Sequence, residues 1–154
     1  MTFLRYLALL SLIVWLGGLI FFAFVLAPTV FSVLPTRHLA GAVVNRSLGV
    51  LHWMGIASGM VFLAASMLQA RMGGTRVFGL RQIFVCLMLA LTLASQFAIM
   101  PRMASLRASM GEIDSVPLTD PARIEFDRLH GWSTRLEGGV LLLGILVVYL
   151  TASS

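Results

Sequence analysis

Four polar side chains near the end of the chain are spaced so that they share one face of a helix. Asp127, His130, Thr134 and Glu137 follow one another at intervals of three, four and three residues. Residues at these intervals lie on the same side of an α-helix. Carboxylates and imidazoles held together can carry protons, ligate a metal ion or bind a polar solute. The spacing therefore predicts an ionisable face on the last helix.

Further polar residues are predicted to reach the same end of the molecule from two other helices. His52 lies inside an apolar stretch, Asn45 precedes it by about two turns, and Arg102 directly follows Pro101. An ionisable group at membrane depth is costly and usually has a partner. The sequence thus predicts one polar cluster, whose candidate members are His52, His130, Arg102, Glu137, Asp127 and Asn45. In the alternative interpretation, these groups only satisfy one another at the membrane surface.

The elements that hold this cluster are predicted to be membrane-spanning helices. Hydrophobic residues make up 59% of the 154 residues and charged residues 11%, against about a quarter charged in soluble domains. Four stretches contain no Asp, Glu, Lys or Arg: residues 6–36, 47–70, 82–101 and 138–154. A spanning helix needs roughly 20 apolar residues. The first three stretches meet that length, and the fourth does so if Leu129, Trp132 and Leu136 join it.

We predict a single all-α domain over residues 1–154, a bundle of four transmembrane helices. Their expected bounds are about 3–34, 37–72, 77–110 and 121–150, and helices two, three and four are expected to project on one side of the membrane. Pro28 is expected to kink helix one. Thr36 is expected to cap helix two, Gly73-Gly74 to end it, and Thr119 or Asp120 to cap helix four.

The charge pattern indicates a membrane protein and not a nucleic-acid-binding protein. The net charge is +5, and all eleven basic residues are arginines scattered at helix ends, as expected for membrane anchors. Most of them lie on the projecting side, which favours a cytoplasmic location for that side. Arg71, Arg76 and Arg81 in the short second connection argue the reverse, so the orientation stays open. We expect a multi-pass integral membrane protein, in the inner membrane if the cell is bacterial.

Metal and redox sites are weaker alternatives. The single cysteine, Cys86, excludes a disulfide or a Cys-based zinc site within one chain. His52 and His130 could serve as metal ligands or as the two axial ligands of a haem, and Met100 and Met103 near them would suit Cu(I). No nucleophile–base pair, phosphate-binding loop or metalloprotease motif is present. We therefore expect no enzymatic activity and no bound cofactor.

Several motifs together resemble the transmembrane-protein-205-like family, four-helix membrane proteins of uncharacterised function. They are "WLGGLIFFAFVLAPTVF", "LPTRHLAGAVVNRSLGVLHW", "MPRMASLR" and "FDRLHGWSTRL", in that order across nearly the whole chain. The resemblance implies a loose transport or trafficking role. It also implies an asparagine where this chain has Glu137, which favours a charge pair of Glu137 with Arg102 or Arg135. A fainter similarity to the membrane domain of copper-resistance proteins rests on the first helix and on His52.

Three functional hypotheses follow. In the first, a small solute, a metal ion or a proton binds at or passes the polar cluster, and the protein assembles as a homo-oligomer because four helices enclose little space. In the second, the protein is a scaffold or partner subunit, its protein partner unknown, whose projecting helices dock another protein. In the third, it is a copper-binding or haem-binding redox subunit.

Overall fold

The computed structural model describes residues 2–73 and 79–153, and within them it consists of four long helices and no β-strand. The helices are α1 (Thr2–Val33), α2 (Arg37–Gly73), α3 (Leu80–Met110) and α4 (Pro121–Ala152). All four are long and apolar enough to span a membrane, which confirms the predicted all-α four-helix membrane fold. Helix α2 reaches Gly73, the first residue of the predicted Gly73-Gly74 helix end; Gly74 and the predicted start of helix three at Val77 lie outside the described residues.

The helices are longer than the hydrocarbon layer of a bilayer. The 37 residues of α2 correspond to roughly 55 Å at 1.5 Å per residue, against a layer about 30 Å thick. This excess length leaves room for the predicted projection beyond the membrane.

Two of the helices contain a wide π turn at the same distance before a proline. The π turn Phe22–Leu26 precedes Pro28 in α1, and Ser95–Ile99 precedes Pro101 in α3. Proline lacks an N–H and its ring crowds the carbonyl four residues earlier. A hydrogen bond from residue i to residue i−5 relieves this conflict with one extra residue per turn. Both helices therefore continue through their prolines.

The starts of α2 and α4 follow the capping rules. The Thr36 hydroxyl accepts a hydrogen bond from the backbone N–H of Leu39 at 3.2 Å, and the Asp120 carboxylate accepts from those of Ala122 and Arg123. Both interactions satisfy N–H groups that have no partner within the helix. The predicted caps at Thr36 and Asp120 are confirmed.

The four helices form a ring in chain order, in which each packs against its neighbours and α1 closes against α4. Large apolar side chains fill its centre, with Trp15 of α1 and Met88 of α3 almost completely buried. Gly55 of α2 lies directly against the Trp15 indole, where an added Cβ would overlap the ring. Close backbone approach at small residues is a common way for helices to pack in lipid.

Candidate functional site: a histidine-centred triad beneath a cavity

A buried histidine joins three helices near the middle of the bundle. The His52 side chain is only 1% exposed. Its Nδ1 lies 2.8 Å from Oε1 of Gln96 in α3, and its Nε2 lies 2.6 Å from Oε1 of Glu137 in α4. We call His52, Gln96 and Glu137 the His52 triad. Because α2 and α4 are not neighbours in the ring, the triad ties together helices that have little other contact.

Local backbone geometry helps to position the triad. Gln96 is the second residue of the π turn Ser95–Ile99, so its direction around the helix axis depends on the extra residue that Pro101 makes favourable. Glu137 extends from a regular part of α4. A π turn within an α-helix is often found at a functional site.

The proton shared by His52 and Glu137 can be bonded either to Nε2 of the ring or to the carboxyl group. With the Gln96 amide oxygen facing the ring, Nδ1 carries a hydrogen and donates it to that oxygen. The short Nε2–Glu137 contact then joins either an imidazolium and a carboxylate or a neutral imidazole and a carboxylic acid. Transfer of the proton across this contact interconverts the two forms without moving heavy atoms.

Glu137 also lines a cavity of about 540 Å³ that occupies one end of the bundle. Below the cavity, α1 and α4 pack tightly where Leu16 meets Gly144. The cavity lining begins about one turn nearer the open end of the bundle, at Leu19 of α1 and Leu141 of α4. Exposed residues of both helices, including Phe24 of α1 and Thr134 of α4, contribute to the walls. The cavity is therefore open to the outer surface of the bundle.

Three arginines line the cavity at its opposite end: Arg37, Arg107 and Arg123. We call these the arginine rim. Arg123 is bound to Asp127 through Nε at 3.1 Å and to the backbone oxygen of Ile113 through an Nη nitrogen at 2.6 Å. The Arg107 guanidinium lies 5.4 Å from the centre of the Phe126 ring. Its Nε is buried without a hydrogen-bond partner.

The His52 triad and the arginine rim form two layers at different depths. Along α3, Gln96 and Arg107 are 11 residues apart, and along α4 Arg123 and Glu137 are 14 apart, separations of about 16 and 21 Å at 1.5 Å per residue. Apolar side chains occupy the space between the layers, among them Phe22 and Phe31 of α1 and Met103 of α3. The cavity is thus an apolar passage between an ionisable floor and a cationic rim.

The structure brings together most of the residues that the sequence placed in one cluster. Asn45, His130 and Glu137 all line the cavity. So does Thr134, so three of the four residues on the predicted polar face of α4 share one environment. His130 is nevertheless exposed, whereas His52 is sealed beneath the cavity.

Asp127 and Arg102 lie elsewhere. Asp127 is exposed and binds Arg123 of its own helix. Arg102, whose side chain is 63% exposed, binds Glu125 with Nε and Oε1 2.7 Å apart. Neither lines the cavity, so the predicted meeting of Arg102 with the two histidines is wrong. The predicted ion pair of Glu137 with Arg102 or Arg135 is also wrong, since Glu137 binds His52 and the Arg135 guanidinium lies over Trp132.

The geometry does not favour a metal site at the two histidines. Both ring nitrogens of His52 are engaged by Gln96 and Glu137, so a metal ion would have to displace one of these partners. Among the described residues, no three His, Cys, Asp or Glu side chains come together in a way that could hold a metal ion.

Sequence reasoning missed Gln96 and Gly41, and it left Arg107 outside the polar cluster. Gln96 is an amide in an otherwise apolar window, and that isolation is the signal that could have identified it. Gly41 leaves the space that Arg107 occupies, because a Cβ added there would approach an Nη nitrogen of Arg107 to 2.7 Å. No local pattern predicts this contact between α2 and α3.

The comparisons with known proteins identify a family without an assigned activity. A family model described as a domain of unknown function, DUF4149, matches residues 10–112, a span that includes His52, Gln96 and Arg107 and ends before α4. An uncharacterised protein from Aquifex aeolicus (strain VF5) is 33% identical over 137 residues, covering 89% of this chain and 86% of the relative. No solved structure matches.

Neither the family model nor the relative tests the resemblance to the transmembrane-protein-205-like family, which stays a prediction. The family model covers more than half of the chain, and the relative covers most of it. This multi-pass membrane protein therefore belongs to the DUF4149 family.

Proposed function

We propose that this membrane protein is a binding protein, not an enzyme, that takes up a small amphipathic molecule in the cavity above the His52 triad. The main observation behind this proposal is a cavity of about 540 Å³ that has apolar walls, Glu137 at one end and arginines at the other. Small-molecule sites commonly measure about 300–1,000 Å³ and place a few polar groups in apolar walls. The cavity lies within one chain, so the proposal requires no second copy.

The triad supports this proposal because an ionisable residue inside a membrane protein is usually functional. Glu137 faces the cavity and its carboxylate is held by His52. A ligand that changes the surroundings of Glu137 would change the balance between the two proton positions. Ligand binding and proton transfer would then be coupled.

A cysteine reporter tests whether the cavity is accessible. We replace Cys86 by Ser and Asn45 by Cys, purify the protein in detergent, and follow modification by N-ethylmaleimide with intact-protein mass spectrometry. We expect the new thiol to react. The further substitution Ala27→Phe places a large ring in the cavity wall and should slow the reaction about tenfold, equivalent to ~1.4 kcal/mol.

Val25→Phe provides the matched control, since Val25 is also in α1 but does not line the cavity. It should leave the reaction rate unchanged. A thiol at position 45 that does not react, or that reacts equally with and without Ala27→Phe, would show that no accessible cavity exists.

A further inference from the structure

We propose that the occupant of the cavity is an anionic phospholipid of the surrounding bilayer, with its phosphate on Arg107 and an acyl chain along α1. This inference rests on the proposed binding function and specifies its ligand class. It depends on the charge, the depth and the opening of the cavity, in that order.

Arg107 provides the charge. Its side chain is partly buried among Gly41, Phe126 and the cavity, and within residues 2–73 and 79–153 no carboxylate forms an ion pair with it. A buried Nε without a partner is unfavourable, and a phosphate oxygen would satisfy it with a charge-assisted hydrogen bond.

The other charged groups near the rim leave an excess of positive charge. Arg123 is neutralised by Asp127. Asp114 accepts a hydrogen bond from the backbone N–H of Arg37 at 3.1 Å, which places one acid near that arginine. Glu137 lies in the other layer and is bound to His52. Arg37 is exposed to solvent, so Arg107 is the rim arginine with a buried nitrogen that an external anion could bind.

The cavity lies near one surface of the bilayer. The exposed Arg46, Arg102 and Arg135 lie along the helices between the His52 triad and the arginine rim, and exposed arginines of a membrane protein are expected at the membrane surface. The His52 triad therefore lies below that surface. Arg107, which follows Arg102 by five residues in α3, lies about 8 Å farther out, among the headgroups.

The opening of the cavity favours a lipid over a soluble anion. Phe24 and Phe31 line the cavity and are 70% and 47% exposed. The apolar wall therefore continues onto a surface that faces acyl chains in a membrane. A phospholipid can enter from the side with its chain on these rings, whereas free phosphate would make no use of them.

Protection of the cysteine at position 45 tests the inference. In the Cys86→Ser, Asn45→Cys protein, freed of lipid in detergent, phosphatidylglycerol should slow the N-ethylmaleimide reaction at lower concentration than phosphatidylcholine with the same chains. Phosphatidylglycerol has a net negative headgroup, whereas the choline of phosphatidylcholine offsets the charge of its phosphate. The arginine should therefore give at least a fivefold difference in half-protecting concentration, which corresponds to about 1 kcal/mol for one arginine near an anionic lipid surface. Arg107→Gln should remove this difference.

Arg102→Gln is the matched control, because Arg102 lies on the same helix, outside the cavity; it should retain the difference. Arg107→Lys keeps the charge and should retain a preference if Arg107→Gln does not fold. Equal protection by the two lipids, or equal protection by inorganic phosphate alone, would overturn the inference while leaving the binding function intact. A thiol that never reacts without lipid would instead refute the proposed function.

Discussion

Two histidines that look alike in the sequence have different environments in the folded protein. His52 has both ring nitrogens hydrogen-bonded and almost no exposed surface, whereas His130 is exposed at the cavity wall. Removing one partner from a buried pair leaves an ionisable group without compensation. The two residues should therefore respond differently to the same substitution.

We expect His52→Ala to lower the free energy of unfolding by roughly 1–4 kcal/mol, because Glu137 and Gln96 both lose their partner. His130→Ala should change it by less than about 0.5 kcal/mol, as is usual for an exposed site. Thermal unfolding of both variants in the same detergent measures the difference. Glu137→Gln should lower the free energy of unfolding by less than His52→Ala does, because the glutamine amide can still hydrogen-bond to the His52 ring. Equal losses for the two histidine variants would contradict the structural role of the triad.

At the scale of the helices, the two π turns place specific side chains. Each extra residue in a turn rotates the following part of the helix relative to the preceding part. The Ser95–Ile99 turn contains Gln96, the triad member from α3. The Phe22–Leu26 turn in α1 contributes Phe22 and Phe24 to the cavity wall. The prolines therefore act on the site through geometry, without contributing a polar group.

Pro101→Ala should allow regular α-helical hydrogen bonding in α3 and turn Gln96 away from His52. We expect Gln96→Ala to cost about 1 kcal/mol of stability in the natural chain and much less when combined with Pro101→Ala. A double-mutant cycle based on unfolding measurements isolates this coupling.

Pro28→Ala supplies the control, since it removes the corresponding proline of α1 without touching α3. Its coupling to Gln96→Ala should be close to zero. An equal coupling for both prolines would mean that the Ser95–Ile99 turn does not orient Gln96.

At the scale of the whole molecule, the four-helix ring has two unlike ends. One end is closed by apolar packing that begins where Leu16, Gly144 and Met88 meet and continues toward the start of α1. The other end contains the cavity, the arginine rim and the connection between α3 and α4. Because the chain crosses the bundle four times, the start of α1 and the end of α4 lie together at the closed end, opposite the arginine rim.

This topology predicts that reporters attached before α1 and after α4 appear on the same side of the membrane. Paired fusions of a fluorescent protein and a secreted phosphatase, each active on only one side, measure this in cells. By the distribution of arginines, the rim should be cytoplasmic and both attachment points on the far side. Reporters on opposite sides would contradict four membrane crossings. A shared cytoplasmic location would reverse only the orientation.

The sequence alone determined the four spans, the caps of α2 and α4, and the end of the bundle where polar groups gather. These properties depend on local composition: apolar length decides a span, and Thr36 and Asp120 cap helices through neighbouring N–H groups. Only the tertiary structure decided which polar groups meet. His52 bonds Gln96 and Glu137 instead of Arg102 because the direction of each side chain depends on helix rotation, on the π turn before Pro101 and on packing across the ring. These contacts depend on residues that are far apart in the chain, so a local sequence pattern cannot predict them.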